Sequence, residues 1–104
     1  MERVPVNIEY GDEDLRRLAE DINFRPKRWG RDVVKAYRKK IQLLADAEDE
    51  RDLRALRSLN LKTLQGDKAG NYSIRLNDQF RLILTFHNED DGRVVVVLEL
   101  VDYH

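Results

Sequence analysis

Alternating apolar and polar residues fill the last third of this 104-residue chain, and that alternation restricts the fold more than any other feature. Three alternating runs, separated by two turn signals, predict an antiparallel β meander. The apolar positions that share a face are Tyr72, Ile74 and Leu76 in the first run, Phe80, Leu82, Leu84 and Phe86 in the second, and Val94, Val96, Leu98 and Leu100 in the third. These faces need a covering layer, which the rest of the chain has to supply.

The loop between the first two runs sets the register of their hairpin. A three-residue loop pairs Leu76 with Phe80, whereas a two-residue loop would mix the apolar and polar faces. The three-residue register places Arg75 opposite Arg81 on the polar face, where like charges destabilise a hairpin by roughly 0.2–1 kcal/mol. Two interpretations are open. Either the two guanidinium groups bind an anion together, or they turn into solvent or pair with Glu99, which shares that face.

The start of the chain predicts a strand and a short helix. Alternation over Val4–Tyr10 is typical of a strand, and Pro5 favours an edge position because proline lacks a backbone N–H. Asp12 is a suitable N-cap for the helix that follows. The apolar stripe of this helix, at positions i, i+3, i+4 and i+7, consists of Leu15, Leu18, Ala19 and Ile22.

The middle of the chain predicts two more helical segments. The second helix begins at Trp29 or Arg31 and ends near Ala47, and a short third segment over Leu53–Leu59 turns Leu53 and Leu56 inward. The apolar side of the second helix consists of Val33, Tyr37, Ile41, Leu44 and Ala45. Two or three helices over one face of the sheet give a two-layer α+β architecture, and residues 1–104 form a single domain.

Composition excludes several classes of protein. There is no cysteine, and hence neither a disulfide framework nor a thiolate nucleophile. The two histidines do not have the spacing of metal ligands, so we expect no metal and no other cofactor. No apolar stretch approaches the roughly 20 residues that span a bilayer, so no membrane partner is expected. A cytoplasmic protein is the simplest interpretation.

Basic residues are concentrated in two stretches, although the net charge is only −1. Between residues 25 and 40 there are eight basic residues and one acid, and between 54 and 81 there are six basic residues and two acids. Such segregation can form a positive surface for a phosphate backbone. Alternatively, the first stretch is a solvated helix surface. The loop over 65–71 contains two glycines and a lysine, which is a weak phosphate-loop signal or a plain connection.

The side chains that could act on a phosphodiester lie near the polar face of the meander. They are Lys62, Lys68, Arg75, Arg81, Tyr103 and His104. This set suits RNA cleavage by the neighbouring 2′-hydroxyl, in which the protein transfers protons and neutralises a phosphorane. His104 could act as base or acid, since an unperturbed histidine has a pKa of about 6.5, or it is an exposed terminal side chain. His87 is interpreted as a loop residue, roughly 20 Å from Arg81 at about 3.3 Å per residue.

The stretch LKTLQGDKAGNYSIRLNDQFRLILTF, with VDYH at the end of the chain, resembles the HigB branch of the RelE/ParE toxin superfamily. Those proteins carry a leucine–x–x–leucine–lysine–glycine–aspartate segment, an aromatic–serine–isoleucine strand, an aromatic–arginine pair and a terminal aspartate–tyrosine–histidine. The resemblance implies a toxin of a type II toxin–antitoxin system, an endoribonuclease that enters the ribosomal A site, cleaves mRNA and inhibits translation. It also implies a HigA-like helix-turn-helix antitoxin, through which alone the toxin is brought to operator DNA.

The resemblance also implies roles for particular residues. The catalytic candidates are Arg81, which would stabilise the transition-state phosphate, the triplet Asp102, Tyr103 and His104, and Lys62, which stands where relatives often have a histidine. The substrate-binding candidates are Arg75, Lys68, Gln65 and Asn77; Gln65 replaces a lysine of the family pattern and Asn77 an arginine. Two alternatives are a ParE-like toxin that inhibits gyrase by binding it, and a weakened, non-catalytic module that binds only an antitoxin.

Overall fold

A five-stranded sheet and three helices make up the fold. The computed structural model describes residues 7–47, 50–66, 70–89 and 92–102. Along the chain the elements are β1 (Asn7–Tyr10), α1 (Glu13–Glu20), α2 (Arg31–Asp46), α3 (Glu50–Ala55), a 3₁₀ turn (Arg57–Leu59), β2 (Lys62–Thr63), β3 (Tyr72–Arg75), β4 (Phe80–Glu89) and β5 (Gly92–Asp102). The predicted α+β class is confirmed. Within the described ranges, no helix is long and apolar enough to cross a membrane.

The strand order is β1-β5-β4-β3-β2, with the N-terminal strand at one edge. β1 runs parallel to β5, and the other neighbouring strands are antiparallel. Parallel neighbours need a long crossover connection, and all three helices lie within this one. The edge position agrees with the prediction, although Pro5 and the first part of the predicted strand lie outside the described residues. Strand β2, at the opposite edge, was not predicted; its two residues are too few for a periodic pattern.

The predicted register of the β3–β4 hairpin is confirmed. Tyr72 pairs with Leu84, Ile74 with Leu82 and Arg75 with Arg81. At the loop, the Leu76 amide donates to the Phe80 carbonyl over 2.9 Å. The turn is stabilised by the Asn77 side chain, whose Oδ1 accepts from the backbone amides of Gln79 (2.9 Å) and Phe80 (2.8 Å). An asparagine in this position replaces backbone hydrogen bonds that a tight loop cannot make.

A β-bulge in β5 makes one part of the predicted pattern wrong. Ile83 pairs with Glu99, but the next residue, Leu84, pairs with Val97, so Leu98 is an extra residue in its strand. An extra residue shifts the alternation of side chains by one position. The residues of β5 that join the hydrophobic cluster are therefore Val95, Val97 and Leu100, instead of Val94, Val96, Leu98 and Leu100. Val94 is also buried, at 2% exposure, but on the opposite face of the strand from Val95. An uninterrupted run of valines gives no sign of where such a shift occurs.

The hydrophobic core lies between the sheet and the helices. Its fully buried side chains include Leu15, Leu18, Tyr37, Leu44, Leu53, Leu59, Ile74, Leu82, Leu84 and Val97. The Tyr37 hydroxyl donates to the Leu15 carbonyl over 2.8 Å and so joins α2 to α1. Burial raises the pKa of this hydroxyl, which keeps it a neutral donor.

Three predicted core positions are wrong, two of them because a helix ends earlier than the apolar pattern does. Helix α1 ends at Glu20, which leaves Ile22 71% exposed. Helix α3 ends at Ala55, so Leu56 is 39% exposed and Leu59 takes the inward position. On α2 the side chain of Ala45 is exposed. The predicted N-cap is confirmed, since Asp12 Oδ1 accepts from the Asp14 amide over 2.8 Å.

Candidate active site

A pocket of about 250 Å³ lies at the β3–β4 end of the sheet, on the face that points away from the hydrophobic core. Its lining residues are Asn60, Lys62, Arg75, Asn77, Asp78, Gln79 and Arg81. Four of them, Lys62, Arg75, Asn77 and Arg81, belong to the set predicted from the sequence. The cations come from three neighbouring strands, because Lys62 pairs with Ser73 while Arg75 pairs with Arg81.

Arg81 is the most constrained side chain of this pocket. It is only 6% exposed. Its Nε donates to Ser73 Oγ over 3.0 Å, and its Nη2 donates to the Asn60 carbonyl over 2.7 Å and to the Ser73 carbonyl over 3.4 Å. Hydrogen bonds to a strand and to the turn before β2 fix the plane of the guanidinium, which carries five donors in a rigid fork.

Arg75 has different partners from Arg81, which explains how the sheet accepts the like-charged pair. Its Nε donates to the Asn77 carbonyl over 3.2 Å, and its Nη2 forms an ion pair with Asp78. Asp78 therefore neutralises Arg75 in the folded protein. Both partners of the ion pair are well exposed, and exposed ion pairs contribute only about 0–1 kcal/mol. A phosphate could displace the Asp78 carboxylate at little expense in free energy.

One cation of helix α2 also interacts electrostatically with Arg75. The pKa of Lys40, on α2, is lowered by partial burial and by the positive charges of Lys39 and Arg75. A lysine that feels Arg75 lies close enough to add to the positive potential at this end of the sheet. The basic stretch predicted over residues 25–40 thus contributes charge at its C-terminal end.

Asp102 lies at the rim of the pocket. It pairs with Phe80 in the sheet, and its Oδ2 accepts from Nε2 of the lining residue Gln79 over 3.0 Å. Three other predicted site residues, Lys68, Tyr103 and His104, lie outside the described residues. Gln65 is exposed and does not line the pocket.

His87 is a strand residue, so its interpretation as a loop residue is wrong. It lies within β4, opposite Val94, because this strand continues to Glu89. His87 and Arg81 are six residues apart on one extended strand, which keeps the imidazole away from the pocket. Within the described ranges, no three histidine or acidic side chains come together as metal ligands.

The sequence of residues 8–104 matches the family described as the RelE-like toxin of the type II toxin–antitoxin system HigB. This chain belongs to that family. The match covers nearly all of the chain and includes every residue of the pocket. The toxin shows no significant match among curated proteins.

Solved structures of other toxins share the fold. A YoeB/ParE toxin from Agrobacterium tumefaciens superposes with a TM-score of 0.58 at 13% identity, covering 94% of this chain and 99% of that one. YafQ from Escherichia coli BL21(DE3) has a TM-score of 0.56 at 13% identity, covering 92% and 91%. The toxin is also similar to a chain of the YoeB–YefM complex from Staphylococcus aureus, with a TM-score of 0.54, 19% identity and coverage of 95% and 97%. At these identities the likeness concerns the fold.

Two residues that hold Arg81 were missed in the sequence of the toxin. Ser73 shares the polar face with Arg75, so alternation alone could have placed it beside Arg81. Asn60 adopts a left-handed backbone (φ 47°, ψ 55°), which asparagine tolerates better than most residues. Asn60 contributes to the site through its backbone carbonyl group, which every residue possesses. No side-chain pattern signals such a contact.

Proposed function

We propose that this toxin is an endoribonuclease that cleaves mRNA on the ribosome and so inhibits translation. The observation that carries the proposal is the pocket in which Lys62, Arg75 and Arg81 meet. Among the residues that the structure describes, Asp78 is the one carboxylate lining the pocket, and it forms an ion pair with Arg75. RelE-like toxins are known as ribonuclease toxins. Several cations at one point suit a phosphodiester, which carries one negative charge and gains a second in the transition state.

The proposed reaction uses the nucleophile of the RNA itself. The 2′-oxygen attacks the adjacent phosphorus and loses its proton to a base, while the P–O5′ bond breaks and the O5′ atom takes a proton from an acid. The products are a 2′,3′-cyclic phosphate and a 5′-hydroxyl. Arg81 is proposed to neutralise the phosphorane, and its fixed guanidinium needs no reorganisation at that moment. Lys62 and Arg75 add charge, with Asn77, Gln65 and Lys68 as proposed substrate contacts.

Proton transfer is assigned to the last three residues of the chain. We propose His104 as the acid or base, with Asp102 and Tyr103 as the other members of the triplet. Asp102 supports this placement because it is joined to the lining residue Gln79 by a 3.0 Å hydrogen bond. A histidine with an ordinary pKa of about 6.5 can accept and return a proton near neutral pH.

We also propose a HigA-like helix-turn-helix antitoxin as partner, which neutralises the toxin in the cytoplasm and takes the pair to operator DNA. The family is defined by type II toxin–antitoxin systems, and the similar S. aureus structure is itself a YoeB–YefM complex. Both observations support an antitoxin partner.

Sequencing of RNA 5′ ends after a brief pulse of expression tests the function. We expect new 5′-hydroxyl ends within translated coding sequences, and their loss in Arg81→Ala and in a variant without His104. Co-expression of the neighbouring gene should also remove them if that gene encodes the antitoxin. A DNA-damage response without new RNA ends would instead indicate a ParE-like gyrase inhibitor. Stable expression without growth arrest or new ends would indicate a non-catalytic module.

A further inference from the structure

We propose a second RNA subsite beside the reactive pocket, in which Arg54 and Arg57 bind a phosphate of the same strand and the leucines next to them contact its nucleoside. This subsite rests on the proposed ribonuclease function. It lies in a cavity of about 380 Å³ lined by Arg54, Leu56, Arg57, Asn60 and Leu61.

The two cavities adjoin at Asn60, which lines both. The carbonyl of this residue accepts the 2.7 Å hydrogen bond from Arg81, and its amide donates to the Arg57 carbonyl over 3.0 Å. One residue therefore touches the proposed phosphate-binding arginine on one side and the 3₁₀ turn on the other. A strand whose phosphate lies at Arg81 would bring a neighbouring nucleotide to the second cavity.

The charge of the second cavity suits a phosphate. Arg54 and Arg57 are exposed, and among the described residues no carboxylate lines the cavity with them. Within the part of the chain that the structure describes, neither side chain forms a hydrogen bond or an ion pair. Asp52, an acid of the same helix, lines a different cavity together with Asp46. Two guanidinium groups three residues apart thus remain available for an anion.

An apolar surface accompanies these cations. Leu56 is 39% exposed between the two arginines, and the partly buried Leu61 lies on the other side of Asn60. Single-stranded RNA is recognised through splayed bases that stack on aromatic side chains while cations hold the backbone. Unstacked bases also lie against apolar side chains, which is the contact that the leucines offer. An acidic peptide would find the same charge and the same leucines. Continuity with the proposed phosphate pocket favours the RNA strand.

Binding of a non-cleavable 2′-O-methyl RNA dodecamer to the full-length toxin, measured by fluorescence anisotropy, tests the subsite. We expect Arg54→Gln/Arg57→Gln to bind about tenfold more weakly and to lower the slope of log K against log salt by about 0.7, the value for one phosphate contact on a single strand. The charge-matched control is Arg31→Gln/Lys35→Gln, whose residues line the cavity beside Trp29. The control should bind as the wild type does.

Each other outcome overturns the subsite. Equal losses of affinity in the two double variants would mean that only net charge matters. If the wild type showed no measurable binding, RNA would not be the ligand. Normal RNA binding with weaker copurification of the antitoxin would assign the cavity to a protein partner. If Arg81→Ala abolishes the new RNA ends in cells while Arg54→Gln/Arg57→Gln binds RNA normally, the subsite fails and the proposed function stands.

Discussion

Arg38 and Arg81 use the same chemistry on opposite sides of the sheet. Arg38, on α2, donates from Nε to the Leu18 carbonyl over 2.9 Å and from Nη2 to the Asp21 carbonyl over 3.1 Å. Arg81 donates to Ser73 and to the Asn60 carbonyl. The first arginine joins two helices at the end of α1 and lines a cavity with Arg25, Arg31 and Lys35, whereas the second lines the pocket with Lys62 and Arg75. Neither hydrogen bonds to carbonyl groups nor cationic neighbours therefore tell a structural arginine from a functional one. The two differ in burial, since Arg81 is only 6% exposed whereas Arg38 is half-buried.

The largest expected effect is on cleavage by Arg81→Ala. Loss of a fixed cation that stabilises the transition state should lower kcat about 10²–10³-fold, as removal of a single oxyanion donor does. The paired variant Arg38→Ala should leave kcat unchanged and lower only the thermal stability. Cleavage rates and thermal melts of both variants check this contrast. Comparable losses of kcat would remove the distinction between the two sides.

Tyr37→Phe should affect stability and leave activity intact. Without the hydroxyl, the Leu15 carbonyl loses its 2.8 Å hydrogen bond in a fully buried environment. A buried acceptor without a partner costs about 1–3 kcal/mol. This corresponds to a melting temperature lower by at least about 4 °C for a domain of this size. Urea denaturation measures the change, and a drop in kcat well below the melting temperature would contradict the assignment.

Ser73→Ala should have a smaller effect, and on activity instead of stability. The substitution removes the Oγ that accepts from Arg81 Nε over 3.0 Å but keeps the hydrogen bond from Nη2 to Asn60. We expect kcat to fall about five- to tenfold, equivalent to about 1 kcal/mol, with KM nearly constant because Arg75 and Lys62 remain. A change confined to KM would show that Ser73 contributes to binding and does not position Arg81.

Lys40→Met should produce the smallest effect, with a pH dependence that identifies its cause. The pKa of Lys40 lies below its ordinary value of 10.5 in the folded protein, so its charged form is disfavoured by folding. At neutral pH the variant should be more stable by less than about 0.5 kcal/mol. The difference should shrink as the pH rises through the lowered pKa and should vanish well above 10.5, where wild-type lysine is neutral in both states. Melting curves at pH 7 and pH 10 measure it.

The positions of the site residues within the strands could be predicted from the alternation of apolar and polar residues. The three-residue loop and the period of two were enough to place Arg75 opposite Arg81. Lys62 was already a candidate near the polar face, and resemblance to a toxin family gave it a catalytic role. The contacts that orient Arg81 could not be predicted in the same way. One of them is a backbone carbonyl brought near by the left-handed Asn60, and it depends on how the chain turns before β2.

The errors in the predicted core include residues beyond helix ends and residues next to the β-bulge in β5. Ile22 and Leu56 continue an apolar spacing after their helices have ended, and helix ends are set by hydrogen bonds that apolar spacing does not report. Residues 94–98 were assigned to the wrong faces because a single extra residue shifts the alternation. The exposed Leu56 belongs to the proposed RNA subsite, so an apolar residue that the pattern assigns to the core contributes there to a proposed binding site.

The extra residue at Leu98 divides β5 into two segments with independent phases. Cross-strand partners on both sides of it would be kept if Leu98 were deleted, since Val97 and Glu99 already pair with consecutive residues of β4. Deletion of Leu98 from this central strand would therefore leave its neighbouring residues paired with the same residues of β4. The pairing of Arg81 with Val101 lies beyond the bulge, so a change of length next to β1 leaves the geometry at Arg81 in place.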